Sequence, residues 1–77
     1  MQVQVKLLGV LSINFPAYRN FHYVEFKEGG TIRDLLKYLG VSFNEVHFIS
    51  VNAKMQTQDY ILKDGDKVIF FPQVSGG

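Results

Sequence analysis

The sequence predicts an α+β fold, a mixed sheet of four to five strands with one main helix packed on one face. Three observations carry this. The stretch over residues 31–39 has the signals of a single amphipathic helix. Several stretches around it alternate with the period of a half-buried strand. The last of these, Val68-Ile69-Phe70-Phe71, is apolar at both parities, as expected of a strand in the middle of a sheet.

The first strand covers residues 3–8. Val3, Val5 and Leu7 share one face, and Gln2, Gln4 and Lys6 share the other. Gly9 invites a turn or bulge. Residues 10–20 hold Ile13, Phe15 and Tyr18, but Pro16 argues against a regular strand through it. A second half-strand followed by a turn is expected there. A further strand runs over 22–27, with Val24 and Phe26 pointing one way, and Glu28-Gly29-Gly30 ends it.

Thr31 is placed to cap the helix. Its hydroxyl can accept from an amide of the first turn, and Asp34 stands three residues on, as in a capping box. Ile32, Leu35, Leu36 and Leu39 form the apolar stripe, and Gly40 sits where a left-handed cap would close the helix. A one-sided helix must lie on something apolar, and the sheet is the candidate. After a connection over 42–46, a strand over 47–51 puts Ile49 and Val51 on one face, with Phe48 and Ser50 on the other. Asn52-Ala53-Lys54 reads as a turn, and Lys63-Asp64-Gly65-Asp66 as a second. The last strand covers 67–71 and Pro72 ends it.

One helix covers one face of such a sheet, which leaves the other face of the last strand to be explained. Two readings stand side by side. The segment after the first strand folds over it with Phe15, Tyr18 or Phe21, or the face is an exposed apolar patch for a protein partner, extended by Phe48.

Size and composition bound the function. With 77 residues, 47% of them apolar, a single domain over residues 1–77 is expected, with 73–77 as a flexible tail. A net charge of +1 without a basic cluster gives no reason to expect nucleic acid or an anionic membrane. The absence of cysteine removes disulfides, thiolate metal sites and a cysteine nucleophile, and favours a cytoplasmic location. No apolar run is long enough to span a membrane. Neither phosphate-cradling glycine motif is present. His22 and His47 stand apart without acidic companions, so no metal site is expected. Asp64 and Asp66 read as turn residues rather than an acid–base pair, and Ser75 has no base beside it. The chain therefore reads as a non-enzyme.

What remains is the end of the chain, Gln73-Val74-Ser75-Gly76-Gly77. Two glycines lack the Cβ that would block a narrow channel. Their terminal carboxylate could be carried into another protein's active site, where adenylation would turn one of its oxygens into a leaving group.

The layout and three motifs together resemble the ubiquitin-like sulfur carriers of the MoaD/ThiS type. The motifs are Val51-Asn52, Leu62-Lys63-Asp64-Gly65-Asp66-Lys67-Val68 and Phe70-Phe71-Pro72-Gln73-Val74-Ser75-Gly76-Gly77. The last is most similar to the small subunit of molybdopterin synthase. The resemblance implies a β-grasp fold. It implies that a ubiquitin-activating-type enzyme adenylates the Gly77 carboxylate with ATP, and that sulfur then displaces AMP to leave a thiocarboxylate. It further implies that the tail donates this sulfur within a large synthase subunit for molybdenum or tungsten cofactor synthesis. No cofactor would be bound by the chain itself. Gly77 would bear the sulfur, and Gly76 would let the tail thread. Phe71, Pro72 and Val74 would make docking contacts, with Phe70 and Phe48 beside them. A carrier for thiamine thiazole or another sulfur pathway, a ubiquitin-like protein modifier, and a plain interaction module with an incidental Gly-Gly are the alternatives.

Overall fold

A computed structural model describes residues 1–73 of the chain. Its elements run β1 (Gln2–Leu7), α1 (Val10–Asn14), β2 (His22–Glu25), α2 (Ile32–Leu39), β3 (Val46–Val51), β4 (Lys54–Gln56) and β5 (Lys67–Pro72). The strands form one sheet in the order β2-β1-β5-β3-β4. β1 and β5 are parallel, and the remaining neighbours are antiparallel. The last strand in sequence is thus the central one, as its two-sided apolar pattern predicted.

α2 follows its local signals closely. Thr31 Oγ1 accepts from the Asp34 N–H at 3.2 Å, and the Asp34 carboxylate accepts from the Thr31 N–H at 3.1 Å. That backbone hydrogen bond is the main reason the Asp34 carboxyl is held below its ordinary value of 3.8. Gly40 closes the helix at φ 81°. Ile32, Leu35 and Leu36 are buried and join Val3, Val5, Leu7, Val24, Ile49, Val51, Val68 and Phe70 in one core cluster. Full burial of such a side chain is worth about 1.5–3 kcal/mol, far more than any single capping contact.

The polar stretch after β4 has a structural task. The carbonyls of Tyr60 and Gln58 accept from the Ile32 and Arg33 N–H groups at 3.1 and 2.9 Å, so this segment satisfies orphan donors of the helix N-terminus. Leu62 is buried beside it and donates its N–H to Gly30 O at 2.9 Å.

The segment between β1 and β2 differs from expectation. Residues 10–14 are helical rather than a half-strand, and Pro16–Tyr18 forms a 3-10 turn. α1 has no side-chain cap and buries only Leu11. Its conformation is imposed by tertiary packing, because Leu11 fills the core while Val10 and Ile13 remain in solvent. Phe15 and Tyr18 pack against the core cluster, so they do not cover the second face of the sheet.

Candidate functional site

The site begins with the alternation of β5. Val68 and Phe70 point into the core, and both are fully buried. Phe70, expected among the docking contacts, is therefore corrected to a core residue: it lies opposite Ile49 on β3 and beside Leu7 on β1, and presents nothing to a partner. Ile69 and Phe71 emerge on the other face and are half-buried. Phe71 lies opposite Phe48, and the two rings stack at 4.3 Å between centroids and 19° between planes. His47 meets Phe48 edge-on at 5.3 Å. Ser50 lies opposite Ile69 on this face, and exposed Met55 lies opposite Ser50. Among the described residues Phe21 of the segment before β2 reaches this face beside Lys6 and Lys67, so the covering reading holds there. Phe48, Ile69 and Phe71 remain half-buried, an apolar strip that is still partly open.

Pro72 and Gln73 form the root of the tail. Pro72 pairs with Val46 across a register shift in β3, and the Gln73 N–H donates to Glu45 O at 3.4 Å. Gly9 adopts φ 55°, and a Cβ built on it would stand 3.0 Å from Pro72 Cγ. The turn out of β1 thus packs directly on the proline, and only a glycine allows that approach at that dihedral. A hollow of about 280 Å³, lined by Val10, Asn14, Asn44, Glu45 and Gln73, opens beside the root. Val74, Gly76 and Gly77 of the expected site, together with Ser75, lie outside the described residues.

The two turns that carry the resemblance meet behind β5. Asp66 is buried, and its carboxylate accepts from Asn52 Nδ2 and from the Lys63 N–H, both at 2.9 Å. Asn52 Oδ1 accepts from the Lys67 N–H at 3.0 Å. Asn52 and Ala53 both have positive φ, 52° and 69°. The turn after β3 is therefore tied to the first residue of β5, which fixes where the strand starts. Asp64 instead accepts from the Gln2 N–H at 2.8 Å. The two aspartates have separate structural duties, as the turn reading held. Burial and then the Asp66 charge push the Tyr60 hydroxyl above its ordinary 10.0.

A larger hollow of about 680 Å³, lined by Glu25, Phe26, Lys27, Asp34, Lys37 and Tyr38, lies at the other end of the molecule, where β2 leads toward α2. It holds none of the expected site residues. Sequence reasoning missed a cluster on the open face. Lys6 of β1 and Lys67 of β5 each place an ammonium group 5.7 Å from the centroid of the Phe21 ring. Strand parity would have put both lysines on that face, but their meeting depends on the parallel pairing of β1 with β5.

A five-stranded sheet gripping one long helix, with its central strand leading into the C-terminal segment, defines a ubiquitin-like β-grasp protein. The ThiS family model matches residues 15–77, and the chain belongs to that family. Proteins of this kind are small non-catalytic carriers or modifiers. A candidate molybdopterin converting factor subunit 1 from Pyrococcus furiosus is 30% identical, with 96% of this chain and 99% of that chain covered and a TM-score of 0.68. SAMP1 from Haloferax volcanii matches in fold over 100% of both chains, at 20% identity and a TM-score of 0.78. A chain from the complex of subunits 1 and 2 of molybdopterin-converting factor from Helicobacter pylori matches over 100% of both chains, at 23% identity and a TM-score of 0.63. Among the described residues no helix is long and apolar enough to cross a membrane.

Proposed function

We propose that the chain is a sulfur carrier whose Gly77 carboxylate is adenylated and converted to a thiocarboxylate for molybdopterin synthesis. The carboxylate oxygen attacks the α-phosphate of ATP in a ubiquitin-activating-type enzyme, and pyrophosphate leaves. A sulfur nucleophile then attacks the acyl carbon and AMP leaves, so the carbon–oxygen bond to AMP is exchanged for a carbon–sulfur bond. The chain supplies the acyl group and its presentation, while the partner supplies the chemistry. A large synthase subunit would then receive the tail, in keeping with the two-subunit assembly of the Helicobacter pylori relative. The setting would be cytoplasmic.

The observation that carries this reading is the root of the tail. Pro72 is held by Val46 on one side and Gly9 on another, at the end of the central strand whose Phe71 faces the open surface. A partner docked on Phe71, Phe48 and Pro72 would find the tail leaving from a fixed point, with Val74 next to the contact and Gly76 in the channel. The ending itself and the 30% identity to the Pyrococcus furiosus chain favour the molybdopterin branch.

The test is intact mass. Incubated with its adenylating enzyme, ATP and a sulfide source, the chain gains the mass difference between sulfur and oxygen at its C-terminus. Deleting Gly77 abolishes the gain and leaves the thermal midpoint unchanged. No gain with the adenylating enzymes of the same cell refutes the carrier reading, and Gly77-dependent conjugates on cellular lysines would put a protein modifier in its place.

A further inference from the structure

We propose that the free edge of β2 takes an extended segment of a partner protein as an added strand, with an apolar side chain over the hollow between β2 and α2 and an acidic residue meeting Lys37. This edge stands two strands away from β5, and the proposal does not depend on the carrier reading.

The ladder between β2 and β1 shows which backbone groups of β2 are engaged. Met1 and Phe26 exchange hydrogen bonds: the Met1 amine donates to Phe26 O at 3.1 Å, and the Phe26 N–H donates to Met1 O at 2.9 Å. In an antiparallel pair such exchanges recur at every second residue, so Val24 and His22 also turn their backbone groups to β1. Gln2 and Gln4, opposite Glu25 and Tyr23, face the other way. Gln2 O accepts from the Gly65 N–H at 2.7 Å, and the Gln4 N–H donates to Asp66 O at 2.8 Å. The N–H and C=O groups of Tyr23 and Glu25 therefore point outward, and among the described residues no other strand pairs with them. Such an edge is a template for a further strand.

The hollow of about 680 Å³ beside this edge says what that strand carries. Phe26 and Tyr38 meet edge-on there at 5.7 Å, with Phe26 nearly buried and Tyr38 mostly exposed, so the floor is aromatic and open. On an added strand the residue opposite Phe26 points to the helix side, as Phe26 does, and stands over this floor. Charge sets the flank. Lys27 is paired with Asp34 at 3.8 Å, whereas Lys37 forms no ion pair among the described residues. Glu25 borders the hollow, but by parity its side chain turns with Gln2 to the opposite face of the sheet. The unmatched charge on the helix side is therefore positive. An apolar residue with an acidic one beside it satisfies both the floor and Lys37, and a basic segment would add a further cation to two lysines. A second copy of this chain fits less well, because the helix-side residues of its own β2 edge, Val24 and Phe26, are buried in its core and leave the hollow unfilled.

The experiment titrates the intact, isotope-labelled chain with the synthetic peptide acetyl-Glu-Glu-Val-Thr-Val-Glu-Glu-amide, acidic at both ends so that either strand direction is tested. Its threonine is placed to exchange hydrogen bonds with Glu25, and its valines to face α2. Amide exchange slows at Tyr23 and Glu25 on binding, and the shifted resonances cluster on β2, Lys37 and Tyr38. Tyr38→Ala weakens binding about tenfold, as loss of an aromatic anchor does. Lys37→Gln weakens it about threefold, the size of one exposed ion pair. Both variants keep the wild-type thermal midpoint. The same peptide N-methylated at its threonine binds about tenfold more weakly, because its central donor is gone. No binding of the peptide, equal affinity for its N-methylated form, or shifts confined to Phe71 and the root of the tail overturn the proposal. Equal binding of a peptide with lysine in place of every glutamate overturns the acidic character of the partner. Slow exchange at Tyr23 and Glu25 that appears without peptide and grows with chain concentration gives the edge to a second copy and overturns the proposal too.

Discussion

Removing the Asp66 carboxylate is the sharpest test of how the tail-bearing strand is positioned. In Asp66→Ala, two donors lose an ionised acceptor at once, Asn52 Nδ2 and the Lys63 N–H, each now 2.9 Å from it. Hydrogen bonds to a charged group contribute about 1.5–3 kcal/mol each. Asn52 is exposed, so water replaces part of its loss, and the low end applies to both bonds. The expected destabilisation is about 3 kcal/mol, a large share of the few kcal/mol that a domain this small can have. At about 4–8 °C per kcal/mol for a chain of this length, the midpoint falls by about 12–24 °C. Thermal unfolding followed by circular dichroism reads this directly. Asn52→Ala and the double variant complete a cycle, in which the coupling between the two sites is expected at about 1–2 kcal/mol, since they share one bond. A drop below about 4 °C for Asp66→Ala, or purely additive losses, would refute the view that this carboxylate fixes the start of β5.

Two further predictions bear on the site and its support. Phe70→Ala and Phe71→Ala should separate cleanly although the residues are neighbours. The first opens a cavity in the core and loses about 3–5 kcal/mol in denaturant unfolding, whereas the second leaves the fold near wild type and weakens binding to the adenylating enzyme. The second prediction concerns acid. Asp34 has a lowered carboxyl in the folded chain, so its stabilising contribution is present above 3.8 and is lost as pH falls through the folded value. Midpoints measured down the acid limb should therefore fall less steeply for Asp34→Asn than for wild type, and an identical slope would show that the cap does not titrate with folding.

What the sequence revealed tracks how local each signal is. The determinants of α2 that can be read locally, from Thr31 through the leucine stripe to Gly40, lie within ten residues, whereas the Gln58 and Tyr60 carbonyls that complete its N-terminus come from a distant segment. α1 has no such set. Leu11-Ser12-Ile13 alternates like a strand, and the helix exists because Leu11 finds a core built by distant strands. The same distinction explains Phe70 and Phe71. Alternation separates the two faces of β5, but only the packed helix decides which face is inside. Asn52 and Asp66 stood out as motif residues, yet their direct contact spans 14 positions and belongs to the folded chain alone.

The central place of β5 has a mechanical consequence. A tail drawn into a partner's channel pulls on β5 along its own axis. The strand has β1 on one side and β3 on the other. Such a pull loads both ladders in shear, so their hydrogen bonds resist together instead of opening one after another, as they would on an edge strand peeled away. A slip of one residue would also drive Ile69 and Phe71 into the core and expel Val68 and Phe70. The strand that bears the tail is thus the one best anchored against being tugged, and a partner can handle the arm firmly without unravelling the body.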